Sequence, residues 1–173
     1  MLVRKATIKD ADKISKLEAG SFPKEEAASL SAFRDRLRVY PNHFLVVEED
    51  GEILCCVNGL VTDEKDLTDE MYSSADLHDE NGKWQMIFGV ATHPDHRRQG
   101  LASDIVRRFV EYAQKEGRLG VVLTCKDYLV HFYERLGFVN EGVSGSAHGG
   151  VTWYQMRLTF PRCEVSTESR SDD

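Results

Sequence analysis

No stretch of this sequence reaches the roughly 20 consecutive apolar residues that a membrane-spanning helix needs. The N-terminal MLVRKATIKD is charged from its fourth residue, unlike a secretory leader, so a cytoplasmic chain without membrane contact is expected. Cysteine is scarce: four residues, with Cys55 and Cys56 adjacent and Cys125 and Cys163 isolated. Without a C-x-x-C spacing or a companion histidine cluster, no metal is expected, and the thiols are expected to be reduced. Positive charge is also short, 22 Lys and Arg against 29 Asp and Glu, for a formal charge of -7. A nucleic-acid partner, which requires a basic footprint, is thereby disfavoured. Two familiar phosphate cradles are missing: there is no G-x-x-x-x-G-K-[ST], and no G-x-G-x-x-G follows a strand. Internal repeats and low-complexity segments are absent too.

What remains is 173 residues of ordinary globular composition, suited to one domain. Leu2–Ala6 alternates and reads as a strand. Asp10 reads as a helix N-cap, with Ile14 and Leu17 on one face and Gly20 as the stop. A second helix is expected over Glu25–Val39, where Leu30, Phe33 and Leu37 fall at helical spacing. His43–Glu48 and Glu52–Val61 form a hairpin around Glu49-Asp50-Gly51. Thr62–Gly82 is polar and acidic, a loop or short irregular helix. Trp84–Thr92 is a further strand, and Gly100–Glu116 is the most strongly periodic helix. Strand, helix, strand and strand then follow at Leu119–Cys125, Leu129–Leu136, Phe138–Val143 and Val151–Leu158. The pattern is a mixed α/β (α+β) domain over residues 1–160, a largely antiparallel central sheet with helices on both faces. The Ser-, Thr- and acid-rich tail from 161 to 173 is expected to be disordered.

The chemistry-bearing stretch is VATHPDHRRQGLASDIV. A strand ends near Thr92, a Pro-Asp turn follows, and Arg97-Arg98-Gln99-Gly100-Leu101-Ala102 opens the periodic helix. The first helical turn leaves up to four amides unpaired, and the helix dipole adds positive charge there. A pyrophosphate suits such a place. Gly100 would let phosphate oxygens approach, Ala102 keeps the next turn open, and Arg97 and Arg98 add full charge. The same residues could also make a strand-to-helix turn with no ligand.

Arg97-x-x-Gly100-x-Ala102, preceded by Val90 and the His93-Pro94 turn, resembles the acetyl-CoA signature of the GNAT superfamily of N-acetyltransferases. Asp127–Phe138, DYLVHFYERLGF, resembles that superfamily's second signature, about 30 residues later. EAGSFPKEEAAS, VYPNHFLVVEEDGEILCCVNG and GGVTWYQM are similar to its arylalkylamine N-acetyltransferase branch.

The resemblance implies a cofactor site for acetyl-CoA as acetyl donor. Val90, Ala91 and Thr92 would offer backbone to the pantetheine arm, and Arg98, Gln99, Gly100, Leu101, Ala102 and Ser103 would surround the pyrophosphate. Arg97 keeps the signature position, with its side chain either on phosphate or outside it. Tyr133 takes the place of the proton donor to the departing sulfur, and the reaction implied is direct attack by a primary amine. No base transfers by resemblance, because Met86 and Phe88 stand where the animal branch has two histidines. Glu25, Glu26, His93 and His148 remain candidates, each with a plain reading as a helix-end acid, loop or turn residue. Trp84, Phe88, Trp153 and Tyr154 read as strand core. The expected partner is a small-molecule amine, foremost an aromatic alkylamine, with a polyamine, another small amine or a protein amine as alternatives. A non-catalytic acyl-CoA sensor is the reading from outside enzymology. Around the acceptor, Phe22 is expected to give an apolar wall, and Glu25, Glu26, Asp76 and His78 an acidic or titratable rim. A monomer or homodimer is expected.

Overall fold

The computed structural model describes residues 1–161, so the tail and Cys163 lie outside the described residues. Among the described residues, nine strands form two sheets and five α-helices pack against them. β1 (Leu2–Lys5), β2 (Phe44–Glu49), β3 (Glu52–Asn58) and β6 (Gly89–Thr92) form an antiparallel sheet in that order. β4 (Val61–Thr62), β5 (Trp84–Ile87), β7 (Gly120–Cys125), β9 (Tyr154–Thr159) and β8 (Val139–Val143) form the second sheet, in which β5 and β7 run parallel. The expected fold class therefore holds. Among the described residues no helix is long and apolar enough to cross a membrane.

Strand alternation divides the core into two. Phe44, Val46 and Cys56 face α1 (Ala11–Ala19) and α2 (Leu30–Val39), while Leu45, Val47 and Cys55 face α4 (Leu101–Lys115) and α5 (Val130–Arg135). α4 buries Leu101, Ile105, Val106, Phe109 and Ala113, the stripe its periodicity announced. Each large side chain there contributes about 2 kcal/mol by leaving water. The β2–β3 hairpin turns through Asp50 and Gly51, both at positive φ, as a two-residue turn matched to strand twist requires.

Three expectations need correction. The second helix begins at Leu30 and not at Glu25, because the Ser29 side chain accepts from the Ala32 amide and caps it there. Pro23–Ala27 instead closes a turn, with the Glu26 and Ala27 amides bonded to the Pro23 carbonyl. Asp10 does not cap α1 through its side chain: its carboxylate accepts from the Thr7 amide at 2.8 Å and pairs with Arg4 at 2.8 Å. Trp84–Thr92 is two strands, since β5 pairs with β7 and β6 leaves to pair with β3.

The segment from Thr62 to Gly82 carries a short helix, α3 (Asp69–Ser73), and is pinned at its far end. Buried His43 places Nδ1 2.7 Å from Gln85 Oε1, and Nε2 faces Glu80 at 2.9 Å. His78 accepts from the Val61 amide at Nδ1, so in its neutral form it donates to Glu80 from Nε2 at 2.7 Å. That arrangement leaves His78 no lone pair for a metal, although the three side chains cluster.

Candidate active site

The break between β5 and β6 sets the site. β7 runs beside β5 only as far as Leu123, then continues through Thr124 and Cys125 paired with β9 alone. β6 is meanwhile held by β3 on one side, with Val57 opposite Val90 and Cys55 opposite Thr92. A strand edge on β6 and one at the end of β7 thus face a wedge, and an unpaired edge offers amides and carbonyls to an extended chain.

A groove of about 900 Å³ opens on one side of that wedge. Val90, Thr92, Arg97, Arg98, Gly100, Leu101, Ala102 and Ser103 all line it. Gln99 is exposed and outside it, and Ala91 turns its methyl into the core, which leaves only its backbone for a ligand. The first intrahelical bond of α4 runs from the Asp104 amide to the Gly100 carbonyl, so the Leu101, Ala102 and Ser103 amides have no helical partner. Gly100, as N-cap, supplies no side chain to cap them. Its φ of +80 suits glycine, and a Cβ placed there meets nothing within 4 Å, which leaves the approach to the amides clear. Arg98 is also left-handed, at φ +62. Left-handed residues of this kind build the amide nests that hold anions.

Sequence reading missed part of this groove. Arg107, Lys126 and Arg135 line it together with Arg97 and Arg98, a cluster of five cations on a chain of net charge -7. Their positions on α4, α5 and the β7–α5 connection are not neighbours in sequence. The hint lay in Arg107, ten residues after the signature arginine Arg97, on the exposed side of a strongly amphipathic helix.

On the other side of the wedge lies a cavity of about 380 Å³. It shares Phe22, Val90, Leu129 and Trp153 with the groove, so the two meet at the end of β6. Tyr133 lines the cavity from α5 and is 6% exposed. Its ring packs edge-on against Phe132 and Phe138, and its hydroxyl makes no hydrogen bond among the described residues. Burial first, and nearby Cys125, raise this phenol well above its ordinary pKa.

Phe22, Tyr72, Phe88 and Trp153 form an aromatic wall. Trp153, just before β9, belongs to the cavity and not to the strand core, while Phe88, at the β5–β6 break, lines the cavity and also packs against the core. Phe88 is held between the Arg36 guanidinium, 4.8 Å from its ring, and the Tyr72 ring, also 4.8 Å away. Met86 is fully buried and does not line this cavity. Trp84 is core, as expected.

The base candidates separate. Glu25 is exposed and His93 accepts from the Asp95 amide as a turn cap, and neither lines the cavity. Glu26 and His148 do line it. The Glu26 side chain is 4% exposed and bonded to Lys126 at 2.8 Å, while His148 Nε2 donates to the Glu26 carbonyl at 3.0 Å and stacks on Tyr72. Asp76 and His78 stand elsewhere, so of the expected rim only Glu26 lines the cavity, joined there by Glu18 and Asp69. Glu18 was not foreseen. It follows Leu17 on the buried face of α1, where a carboxyl breaks the apolar pattern, and that break was the available signal.

A family model described as acetyltransferase (GNAT) family matches residues 11–138. The chain is 28% identical over 137 residues to serotonin N-acetyltransferase of Mesocricetus auratus, covering 79% of this chain and 64% of that protein. It is 25% identical over 123 residues to glucosamine 6-phosphate N-acetyltransferase 1 of Oryza sativa subsp. japonica, covering 70% of this chain and 68% of that protein. The loading GNATL domain of CurA from Lyngbya majuscula superposes with a TM-score of 0.80 at 17% identity, over 91% of this chain and 96% of that one. The chain thus spans less than two thirds of the length of the serotonin N-acetyltransferase it matches.

Proposed function

The chain belongs to the GNAT acetyltransferase family, and from that premise we propose that it transfers the acetyl group of acetyl-CoA to a primary amine, foremost an amine carried on an aromatic ring. The observation that carries the reading is the meeting of a cationic groove and an aromatic, carboxyl-bearing cavity at the splayed end of β6.

The groove fits the donor's charge and shape. The free amides of Leu101, Ala102 and Ser103, with Arg97, Arg98 and Arg107 nearby, hold the pyrophosphate. The backbone of Val90 and Thr92 receives the pantetheine arm as an added strand would. Bound in this way, acetyl-CoA supplies an activated acyl thioester. Tyr133 holds a proton for the departing sulfur, and the raised phenol stays protonated through neutral pH. Fixing amine and thioester in line is itself worth several kcal/mol.

The cavity fits the acceptor. Phe22, Phe88 and Trp153 offer ring contacts, while Glu18 and Asp69 favour a cation. A sugar phosphate fits less well. The one arginine in the cavity wall, Arg36, is 2% exposed and already donates to Asn58 at 3.1 Å and to the Tyr72 carbonyl at 2.8 Å.

The test is a competition in kcat/KM among tryptamine, phenethylamine, spermidine, a lysine peptide and glucosamine 6-phosphate. The aromatic amines are expected to lead. Preference for one of the others leaves an acetyltransferase with a different acceptor. Tight acetyl-CoA binding with no acceptor used favours a sensor.

A further inference from the structure

The reaction proposed above leaves one step without a group, because an ammonium must lose a proton before its nitrogen can attack. Most ionisable side chains on the cavity wall are already engaged. Glu26 is bridged through Oε1 to Lys126, its Oε2 buried without a partner among the described residues, and Asp69 accepts from the Ser146 hydroxyl at 2.5 Å and the Ala147 amide at 3.0 Å. His148 donates to the Glu26 carbonyl, and Arg36 to Asn58 and the Tyr72 carbonyl.

Glu18 is placed differently. It is 9% exposed in the last turn of α1 and lines the cavity beside Phe22 and Gly89. Among the described residues no Lys, Arg or His nitrogen reaches it at ion-pair distance, and the Ala28 amide is the hydrogen-bond donor directed at it. Its Oε1 stands 3.7 Å from where a Cβ on Gly89 would lie, at the first residue of β6 and so at the mouth of the wedge. A buried carboxyl without a counter-charge costs stability that an apolar residue at the same helical position would not.

We propose that Glu18 receives the acceptor's ammonium group and takes its proton, a role that rests on the acetyltransferase reading above. The carboxylate accepts one proton from R–NH3+, leaving R–NH2 and a neutral carboxyl. The nitrogen lone pair forms the N–C bond to the acetyl carbon, the C–S bond breaks, and sulfur leaves with the Tyr133 proton. The second nitrogen proton returns to the Tyr133 oxygen through solvent. Glu18 releases its proton to solvent, so the products are the amide, the thiol and one proton.

The charge environment fits this cycle. Burial holds the Glu18 carboxyl up at about 7, with Arg36 from α2 and the Ala28 amide pulling down. Of the neighbours that feel its charge, Cys56 from β3 is raised well above its usual value by burial, and Tyr72 from α3 is pushed up to about 12, so both stay protonated near neutrality. Glu26, Asp69 and His148 complete the ionisable wall.

The decisive comparison is wild type against Glu18→Gln, with Glu18→Asp as the conservative variant. In wild type, kcat/KM for tryptamine rises as pH passes about 7. Glu18→Gln is expected to lose that limb and about 100-fold in kcat/KM, with unchanged acetyl-CoA affinity. Glu18→Asp recovers part of the rate. Calorimetric binding of tryptamine to the CoA-bound protein weakens in Glu18→Gln, an arm that reads out without turnover. Wild-type rate, pH profile and amine affinity in Glu18→Gln overturn this assignment alone. A wild type that binds acetyl-CoA but neither binds nor acetylates any amine overturns the acetyltransferase reading with it.

Discussion

Replacing Tyr133 by Phe lowers kcat by about 100-fold while acetyl-CoA affinity stays essentially unchanged. The variant keeps the ring, and with it the edge-on packing against Phe132 and Phe138, so the fold has no reason to yield. Only the hydroxyl is lost, from a residue that lines the cavity and whose hydroxyl has no hydrogen-bond partner among the described residues. Its raised pKa matters in the direction of donation: a phenol that resists ionisation keeps its proton until a stronger base, the departing thiolate, appears beside it. Stopped-flow separation of chemistry from product release is the measurement. Wild-type single-turnover rates would leave Tyr133 a packing residue.

Gly100→Trp has the second large effect, a weakening of acetyl-CoA binding by about 100-fold, or about 2.7 kcal/mol. The indole would occupy the open space in front of the α4 amides, where nothing lies within 4 Å of the Cβ position. The left-handed φ adds about 1 kcal/mol of strain, too little to unfold a domain of this size. Gly100→Ala serves as the control, since it carries the same backbone strain with almost none of the bulk. Its affinity loss should be much smaller. Equal affinities for Gly100→Trp and wild type, measured by titration calorimetry on folded protein, would move the pyrophosphate elsewhere.

The Glu18 assignment carries a cost in stability with a definite sign. The carboxyl titrates near 4.5 in the unfolded chain and at about 7 when folded, so between those values the folded state holds a proton the unfolded state has released. Stability therefore falls as pH rises through that window, by an amount of order 1–3 kcal/mol. A glutamine at the same place escapes this loss, which is why the inactive Glu18→Gln is expected to melt higher than wild type above pH 7.

Periodicity made much of the fold legible. α4 and β7 lie within a residue of where apolar spacing put them, because each buries a continuous stripe. The α2 start was misread because Glu25-Glu26-Ala27 resembles a helical first turn, while the Ser29 cap three residues on decides the boundary. The β5–β6 break was hidden for a different reason. Nothing in WQMIFGVAT marks a change of partner strand, since sheet membership is decided by β3 and β7, far away in sequence. The phosphate-binding half of the groove is local, and Arg97 to Ser103 could be read as one motif. The acceptor cavity is assembled from α1, α2, α3, α5 and the segment before β9, so Glu18, Asp69 and Trp153 meet only in the folded chain.

Amine-dependent thiol release is the most direct test of acetyl transfer by this chain. Wild-type protein is mixed with acetyl-CoA, and free CoA thiol is followed with and without tryptamine, the product being identified by mass spectrometry. The expected result is release that requires the amine, saturates with both substrates and yields N-acetyltryptamine. Release at the same rate without any amine, or none with tryptamine or the other amines named above despite saturating acetyl-CoA, would contradict it.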